Sequence, residues 1–286
     1  MRLHVVFAFA ALASCKSSGS DGGAGANGSA APRIITLSPS ATEVVDALGA
    51  AGELVGVDDY SDSPASVKAL PRVGSFMQPN LEAIVRLKPT VVVVDDIHSQ
   101  TAGALHDAKV ATRECAMHAI PDVKACLRAL GGDLGRTRQA DAAIAAIDKA
   151  IEDAAAKRPA RHPKVLLVID REAGGVGGII AAGPGTFNDE LLAVVGGDNV
   201  LAGASTKYPK IGGEEVLRAQ PDIILDLSYA GHDSLAEWDA LKVPAVATKH
   251  VISLKDPVLA HPTPRMAEAL QIMAGAVRLD SVNRTP

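Results

Sequence analysis

Short apolar runs and amphipathic stretches alternate along the chain. The apolar runs are rich in β-branched residues and too short to cross a membrane, which is typical of strands buried on both faces of a sheet. They predict strands at residues 33–37, 54–57, 110–115, 164–169, 245–247 and 251–254. Apolar residues at helical spacing predict helices at residues 40–48, 102–109, 188–195 and 264–279. We expect Ser40 or Thr42 to cap the first helix. Strands that alternate with helices indicate parallel sheets covered by helices.

One helix–strand unit occurs twice, at a constant offset of 132 residues. The stretch N-L-E-A-I-V-R-L-K-P around Glu82 matches G-G-E-E-V-L-R-A-Q-P around Glu214 without a gap. Each copy has a short helix led by a glutamate, a proline that ends the helix and a buried strand. The matching pairs are Glu82 and Glu214, Arg86 and Arg218, Pro89 and Pro221, and Val92 and Ile224. Two such units predict two similar lobes, each with a glutamate at the same place.

A long helix is predicted between the two copies. Residues 138–157 contain neither glycine nor proline and consist of strong helix formers. Ile144, Ile147 and Ile151 fall on one face, and the helix is roughly 30 Å long. The predicted fold is therefore α/β, with two lobes that have parallel-sheet cores and are joined by one long rigid α-helix. The expected boundaries are 33–132 for the N-terminal lobe, 133–160 for the connecting helix and 161–280 for the C-terminal lobe.

Composition and charge narrow the class of protein. The chain has 286 residues, of which 48% are hydrophobic and 21% charged, and this is enough apolar material for a large buried core. The net charge is −5 and no run is rich in lysine or arginine, which argues against a nucleic-acid partner. Aromatic residues make up only 3%, so a large flat ligand would be held by few stacking rings.

The N-terminus has the pattern of an export signal. Arg2 is followed by a short apolar run at 5–13 and then by Leu12-Ala13-Ser14-Cys15, which resembles the bacterial motif in which the cysteine is lipidated. We expect a lipoprotein signal peptide at 1–14, lipidation of Cys15 and a flexible tether at 15–32. The alternative is an ordinary secretory signal with an incidental cysteine. Either signal places the protein in the cell envelope or periplasm, and lipidation would anchor it to a bacterial membrane.

Two further cysteines, Cys115 and Cys126, have two possible states. An oxidising compartment would favour a disulfide between them. Two buried free thiols are the alternative, since cysteine is among the most buried residue types. Sequence spacing leaves both open.

No motif for catalysis or cofactor binding is found. The glycine-rich stretch at 174–178 lacks the third glycine of a dinucleotide fingerprint, because Ile180 stands there. Neither a phosphate-binding loop nor a nucleophile elbow is present. His98 and His261 are interpreted as exposed loop histidines rather than metal ligands. We therefore expect no enzyme activity, no bound cofactor and no metal site.

Several stretches together resemble a known family. They are R-I-I-T-L-S-P-S-A-T-E at 33–43, V-G-V-D-D-Y-S-D-S-P at 55–64, N-L-E-A-I-V-R-L-K-P at 80–89, G-P-G-T-F-N-D-E-L-L at 183–192 and P-T-P-R at 262–265. With the export signal and two α/β lobes, the chain resembles the substrate-binding proteins of ABC importers for metal chelates. These importers carry cobalamin, ferric siderophores and heme. Within the family the chain is most similar to the cobalamin-binding members.

The resemblance implies roles for two sets of residues. In the family, one glutamate on each lobe docks onto arginines of the permease dimer, and Glu82 and Glu214 occupy those positions. The alternative is that each carboxylate only stabilises the first turn of its helix. The ligand cleft lies between the lobes. The positions that match its contacts are Tyr60, Phe76, Asp95, Tyr208, Val258, Leu259, Ala260, His261 and Pro262. For Tyr60 and Phe76 the alternative is a partly buried core ring.

Departures from the family pattern bear on the ligand. Asp95 stands where the cobalamin binder has a tryptophan, and Val195 and Met273 stand at its disulfide positions. Heme-binding relatives have an iron-ligating tyrosine where this chain has Ser75, which argues against heme. We expect cobalamin or a related corrinoid as ligand, with a ferric siderophore as the alternative. A cofactor chaperone or enzyme on a two-lobed scaffold is the alternative from another class. The implied partners are an ABC permease dimer with its ATPase, a small metal chelate and the membrane, with the protein itself a monomer.

Overall fold

Strands and helices alternate through the part of the chain that the computed structural model describes, residues 31–172, 174–228 and 235–278. The strands are β1 (Ile34–Thr36), β2 (Leu54–Gly56), β3 (Gly74–Ser75), β4 (Gln78–Pro79), β5 (Val91–Val94), β6 (Thr112–Glu114), β7 (Lys164–Asp170), β8 (Ile179–Ala181), β9 (Asp198–Asn199), β10 (Lys210–Ile211), β11 (Ile223–Asp226) and β12 (Val251–Ser253). The helices are α1 (Pro39–Ala47), α2 (Leu81–Arg86), α3 (Ser99–Asp107), α4 (Ile120–Asp133), α5 (Thr137–Ala155), α6 (Phe187–Val195), α7 (Gly213–Ala219), α8 (Pro244–Ala247) and α9 (Met266–Ala276). Both main sheets belong to one compact unit that begins at Pro32.

The first half of the chain, β1 to α4, is built on a parallel sheet with the strand order β2-β1-β5-β6. Its central strands are the β-branched runs of the sequence, and their buried residues pack against helices on both faces. A small antiparallel hairpin, β3–β4, stands apart from this sheet. The predicted parallel-sheet core is therefore confirmed for this half.

The second half, β7 to α9, repeats the same order as β9-β7-β11-β12, again with parallel pairing. It adds the antiparallel strands β8 and β10, which extend the sheet beyond the same edge of β7 that pairs with β9. The sequence did not predict β8 or β10. Each is only two or three residues long, and glycines flank both of them.

The repeat seen in the sequence is also a repeat of backbone structure. Strands β5 and β11 begin at Val91 and Ile223, and helices α2 and α7 begin at Leu81 and Gly213, so both pairs keep the offset of 132 residues. The residues before the two prolines, Lys88 and Gln220, both adopt left-handed backbone with φ of 50° and 48°. A proline disfavours the helical conformation in the residue before it, so both helices end in the same way.

Helix α5 joins the halves and packs against both. It covers 137–155, shorter at each end than the predicted connecting segment 133–160. Its apolar face contributes Ile144 and Ile147 to a hydrophobic core that is continuous from β1 and α1 in the first half to α6 and α9 in the second. The helix is therefore part of the core of both halves.

Some local predictions were wrong. The predicted strand at 245–247 is helix α8, which begins at Pro244, a residue that suits the first position of a helix. The N-cap of α1 is Ser38, whose hydroxyl accepts from Ala41 N at 3.2 Å, rather than Ser40 or Thr42. Helix α4 was missed, because a glycine pair at 131–132 hides its last turn. The predicted last helix, 264–279, is observed as α9, and residue 279 lies outside the described part.

The structure pairs Cys115, at the end of β6, with Cys126 on α4. This disulfide was one of the two states left open by the sequence. None of the helices in the described residues combines the length and the apolar sequence needed to cross a bilayer.

A buried carboxylate ties the two halves together. Glu43 on α1 is only 4% exposed. Its Oε2 accepts from the Thr263 hydroxyl, and its Oε1 accepts from Arg265 Nη2 at 2.9 Å. His261 Nε2 lies 3.6 Å from Oε2, an ion-pair distance. Burial alone would raise the pKa of Glu43, but His261, Thr263 and Arg265 together hold it below its ordinary value of 4.5.

Replacing Glu43 by glutamine tests this tie. At pH 7 we expect the E43Q protein to lose about 2 kcal/mol of unfolding free energy, because the buried ion pair with Arg265 is broken. A carboxylate whose pKa is lowered by folding stabilises the fold above its ordinary pKa of 4.5, and this gain disappears as the pH falls through the lowered value. Urea unfolding of both proteins between pH 7 and pH 3 measures the difference, which should narrow on acidification. A difference that does not change with pH would contradict this role of Glu43, and D107N, a change of an exposed aspartate on α3, is the control.

Candidate ligand cleft

The loops that follow the carboxyl ends of the parallel strands form the candidate site. In open α/β sheets ligands bind at this edge, because the helices leave a crevice there. Two contacts bridge the halves on this side of the sheets. One is the group around Glu43, and the other is a hydrogen bond of 2.6 Å from Ile120 N to Glu190 Oε2. These contacts hold the two halves together beside the candidate site.

Three loops of the first half are tied to one another at the cleft. Asp59 N donates to Gly74 O at 3.0 Å, which joins the loop after β2 to the β3–β4 hairpin. His98 Nδ1 accepts from Asp95 N at 2.9 Å, so its proton is on Nε2, which donates to Phe76 O at 2.6 Å. The rings of Phe76 and His98 meet edge to face at 5.1 Å. His98 is thus buried, contrary to the expectation of an exposed loop histidine.

A buried polar network fixes the loop that carries Tyr60. Asp58 accepts from the Ser61 hydroxyl and from Tyr60 N, and Ser61 also bonds the Thr42 hydroxyl at 2.7 Å. Burial raises the pKa of Asp58, although these hydrogen bonds and the charge of Arg72 oppose the rise. The network holds the backbone on both sides of Tyr60, while the ring itself is 68% exposed.

Apolar side chains stand exposed around these loops. Met77 at the tip of the hairpin is 74% exposed and Ile97 after β5 is 48% exposed. Phe76, next to Met77, is partly exposed. The sequence analysis did not single out Met77 or Ile97, although each adjoins a residue that it did consider. Together with Tyr60 they give the first half an apolar rim.

Asp95 lies directly after β5 and is buried, with its carboxylate near Asp96 and His118. Burial raises the pKa of Asp95, and the neighbouring carboxylate of Asp96 raises it further. The pKa of Asp96 is lowered, because Asp95 and His118 share hydrogen bonds with it. Of the two carboxyl groups, Asp95 therefore binds a proton more readily than Asp96.

In the second half the predicted contact residues lie in two loops. Tyr208 is 50% exposed, in a loop held against the start of the α6 segment by a bond of 2.7 Å from Gly183 N to Lys207 O. In the other segment, Val258 and Leu259 are buried in the core, with exposures of 0% and 1%. Only the last part of this segment, residues 260–262, reaches the surface, where Ala260 is exposed and His261 and Pro262 are partly exposed.

An ion-pair group that sequence reasoning missed joins the carboxyl ends of β7 and β11. Arg171 is 3% exposed, and its Nε donates to Asp226 Oδ2 at 2.8 Å while Nη1 donates to Glu237. Trp238 Nε1 also donates to Asp226 Oδ2, at 3.1 Å. Burial would raise the pKa of Asp226, but hydrogen bonds from Ser228 and Arg171 hold it below its ordinary value. Nothing in the local sequence around Arg171 signals this arrangement.

Glu82 and Glu214 lie exposed in the first turns of α2 and α7. The adjacent Glu215 has a different role, since its Oε2 accepts from Gly212 N at 3.0 Å and caps α7. Each exposed glutamate has an exposed apolar residue three positions later. These residues are Val85 and Leu217, exposed by 39% and 41%, and they also differ by 132 positions.

Comparisons with known proteins agree with this architecture. Among curated proteins, the vitamin B12-binding protein of Vibrio cholerae is 26% identical over 254 residues, which covers 84% of this chain and 87% of that protein. Among solved structures, the periplasmic heme-binding protein RhuT from Roseiflexus sp. RS-1 in apo form has a TM-score of 0.76 and 27% identity, covering 87% of this chain and all of that chain. The periplasmic vitamin B12-binding protein BtuF of Vibrio cholerae has a TM-score of 0.71 at 24% identity, covering 89% and 98%, which is a likeness of fold alone.

The profile of the periplasmic binding protein family matches residues 34–258, from the first strand of the first half to the loop before α9. This match covers most of both halves and confirms the resemblance drawn from the motifs. The chain belongs to the periplasmic binding protein family.

Proposed function

We propose that this protein captures cobalamin or a related corrinoid between its two halves and delivers it to the permease of an ABC importer. We further propose that it is a lipoprotein of the cell envelope and that it carries out no reaction on its ligand. The observation that carries the proposal is the pair of exposed glutamates on equivalent helices, in a chain whose family members are binding proteins.

The chemistry of the cleft favours a corrinoid over an anionic chelate. A corrinoid is a broad, largely apolar ring system with neutral amide side chains, which suits a rim of exposed apolar residues such as Tyr60, Met77 and Tyr208. A catecholate siderophore or the propionates of heme would instead require free cations. Arg265, the arginine of the C-terminal motif, is engaged by Glu43 and Glu268. The carboxyl groups of Asp95 and Asp96, which follow β5, would repel such anionic ligands.

The curated relatives also favour a corrinoid ligand, since several are named vitamin B12-binding proteins and match most of this chain. The solved structures of heme-binding proteins share the fold, and RhuT is 27% identical. Ser75 stands where the sequence resemblance places a heme-ligating tyrosine, and this favours the corrinoid.

The geometry of the duplicated helices supports docking through Glu82 and Glu214. A helix between parallel strands runs back toward their amino ends, so the first turns of α2 and α7 lie at the carboxyl edge, beside the cleft opening. Neither glutamate is needed as a cap, because Asn80 accepts from Ala83 N at 3.0 Å in α2 and Glu215 caps α7. Two exposed carboxylates with an apolar neighbour each suit charge-assisted pairing with arginines of a two-fold symmetric permease.

The first test is titration of the purified protein with cyanocobalamin, hemin and a ferric catecholate siderophore, followed by fluorescence or calorimetry. We expect cyanocobalamin to bind most tightly. Tyr60→Ala should weaken that binding about tenfold, because an exposed ring contact of about 1.4 kcal/mol is lost. Tyr60→Phe keeps the ring and should bind nearly as the parent does. If hemin or the siderophore binds more tightly than cyanocobalamin, that compound is the ligand class and the corrinoid proposal is wrong.

The second test concerns docking. The double change Glu82→Ala with Glu214→Ala should abolish uptake by cells that depend on this protein, while corrinoid affinity in vitro stays unchanged. The matched control is Glu114→Ala with Glu152→Ala, two exposed glutamates outside the repeat, which should leave uptake intact. If the first pair instead lowers ligand affinity, these glutamates serve the cleft or the fold and the docking proposal is wrong.

The third test concerns the anchor, since Cys15 lies outside the described residues. Cells grown with labelled palmitate should label the parent protein, and Cys15→Ala should lose the label and move to the soluble envelope fraction. The control is Cys115→Ala with Cys126→Ala, which removes the disulfide and leaves the signal untouched. Labelling of the Cys15→Ala protein would show that the cysteine is incidental.

A further inference from the structure

Two aspartates and a histidine meet at the rim of the cleft, beyond the ends of neighbouring strands. Asp95 and Asp96 follow β5, and His118 follows β6. Nε2 of His118 lies 3.0 Å from both oxygens of Asp96 and 3.9 Å from Oδ1 of Asp95. Each of the three residues has one potential ligand atom that lies within 4.8 Å of those of the other two. We propose that these three side chains bind a divalent transition metal ion.

The state of Asp95 is the observation that points to a ligand. Its side chain is 2% exposed, and its Oδ1 has no hydrogen-bond partner among the described residues. That same atom is the one that faces His118 Nε2. A buried carboxyl oxygen without a hydrogen-bond partner is costly, and buried carboxyl groups in proteins are normally hydrogen-bonded or coordinate a metal ion. A cation between Asp95 and His118 would supply the missing partner.

The spacing and the donor types suit a transition metal. Metal–oxygen and metal–nitrogen bonds of about 2.0–2.2 Å place tetrahedral ligands about 3.3 Å apart, close to the shorter distances here. Two carboxylate oxygens and one imidazole nitrogen suit Zn²⁺ or Mn²⁺, whereas Mg²⁺ and Ca²⁺ prefer oxygen ligands alone. Asp96 and His118 are partly exposed, by 46% and 35%, which leaves a side open for water or another ligand. A metal ion binds only to the deprotonated carboxylate of Asp95 and the deprotonated Nε2 of His118, so binding would release the protons that these two groups hold.

The surroundings hold two of the three groups in place. The Cys115–Cys126 disulfide closes the short loop that carries His118, and Asp122 Oδ2 accepts from His118 N at 3.1 Å. On the other side, Asp95 N donates to His98 Nδ1. Since both nitrogens of His98 are engaged, by Asp95 N and Phe76 O, this histidine does not compete for the ion. Supported ligands of this kind need little reorganisation to bind a metal.

The experiment titrates metal-free protein with Zn²⁺ in competition with a chromophoric chelator, in the absence of any corrinoid. The result is therefore independent of whether the protein binds cobalamin. We expect one equivalent of zinc and no competition from Mg²⁺. Asp95→Asn and His118→Gln should each weaken zinc binding at least about tenfold. His162→Gln is the matched control, because His162 lies 3.5 Å from Asp198 in an exposed pair that has no third ligand among the residues the structure describes. This variant should bind zinc as the parent does.

Circular dichroism establishes that each variant is folded. If Asp95→Asn fails to fold, the zinc affinity of His118→Gln tests the proposal. This variant is expected to fold, because His118 lies partly exposed in a loop. Anomalous diffraction at the zinc edge should show a peak between the three side chains. Absence of stoichiometric zinc binding, parent-like affinity in His118→Gln, or a zinc peak elsewhere would each overturn the proposal.

Discussion

The packing of α5 into a core shared by both halves is the constraint on which the rest of the structure depends. Ile144 and Ile147 lie in one continuous apolar cluster with residues of α1 and of α9. Burying each such side chain contributes roughly 1.5–3 kcal/mol, so separating the halves would expose several of them at once. A wide hinge motion is therefore costly, and the proposed ligand cleft would have walls that are in place before binding.

Polar contacts between the halves add to the stabilisation that this apolar core provides. Glu43 and Glu190 each cross from one half to the other, and both do so beside the carboxyl ends of the strands. In each half a buried network of hydrogen bonds fixes the backbone beside the candidate site. The network is centred on Asp58 in the first half and on Arg171 in the second. The exposed aromatic and aliphatic side chains at the candidate site are therefore attached to backbone that is held by hydrogen bonds.

The repeat, the parallel sheets and the long helix could be predicted, because each leaves a periodic or duplicated pattern in the sequence. The short strands β8 and β10 could not, because two or three residues among glycines carry no period. The segment 245–247 was read as a strand although Pro244 before it signals a helix start. For the candidate site, the motifs singled out Tyr60, Glu82 and Glu214, and their roles stay predictions. His98 is buried against Phe76 of the β3–β4 hairpin, and Asp95 meets His118 because β5 pairs with β6. Local sequence patterns do not record either contact.

The two halves share a scaffold and differ where they meet the ligand. Between β2 and α2 the first half inserts the loop of Tyr60 and the β3–β4 hairpin, whereas the second half has a shorter connection from β9 to α7. The second half instead inserts β8 between β7 and α6. Both insertions lie at the cleft, and neither alters α2–β5 or α7–β11, where the offset of 132 residues is kept. A symmetric partner would select for this conserved spacing, while an asymmetric ligand would select for different walls. Under the proposed function, the same chain would present two matching glutamates to a two-fold permease and an uneven cleft to a single small molecule.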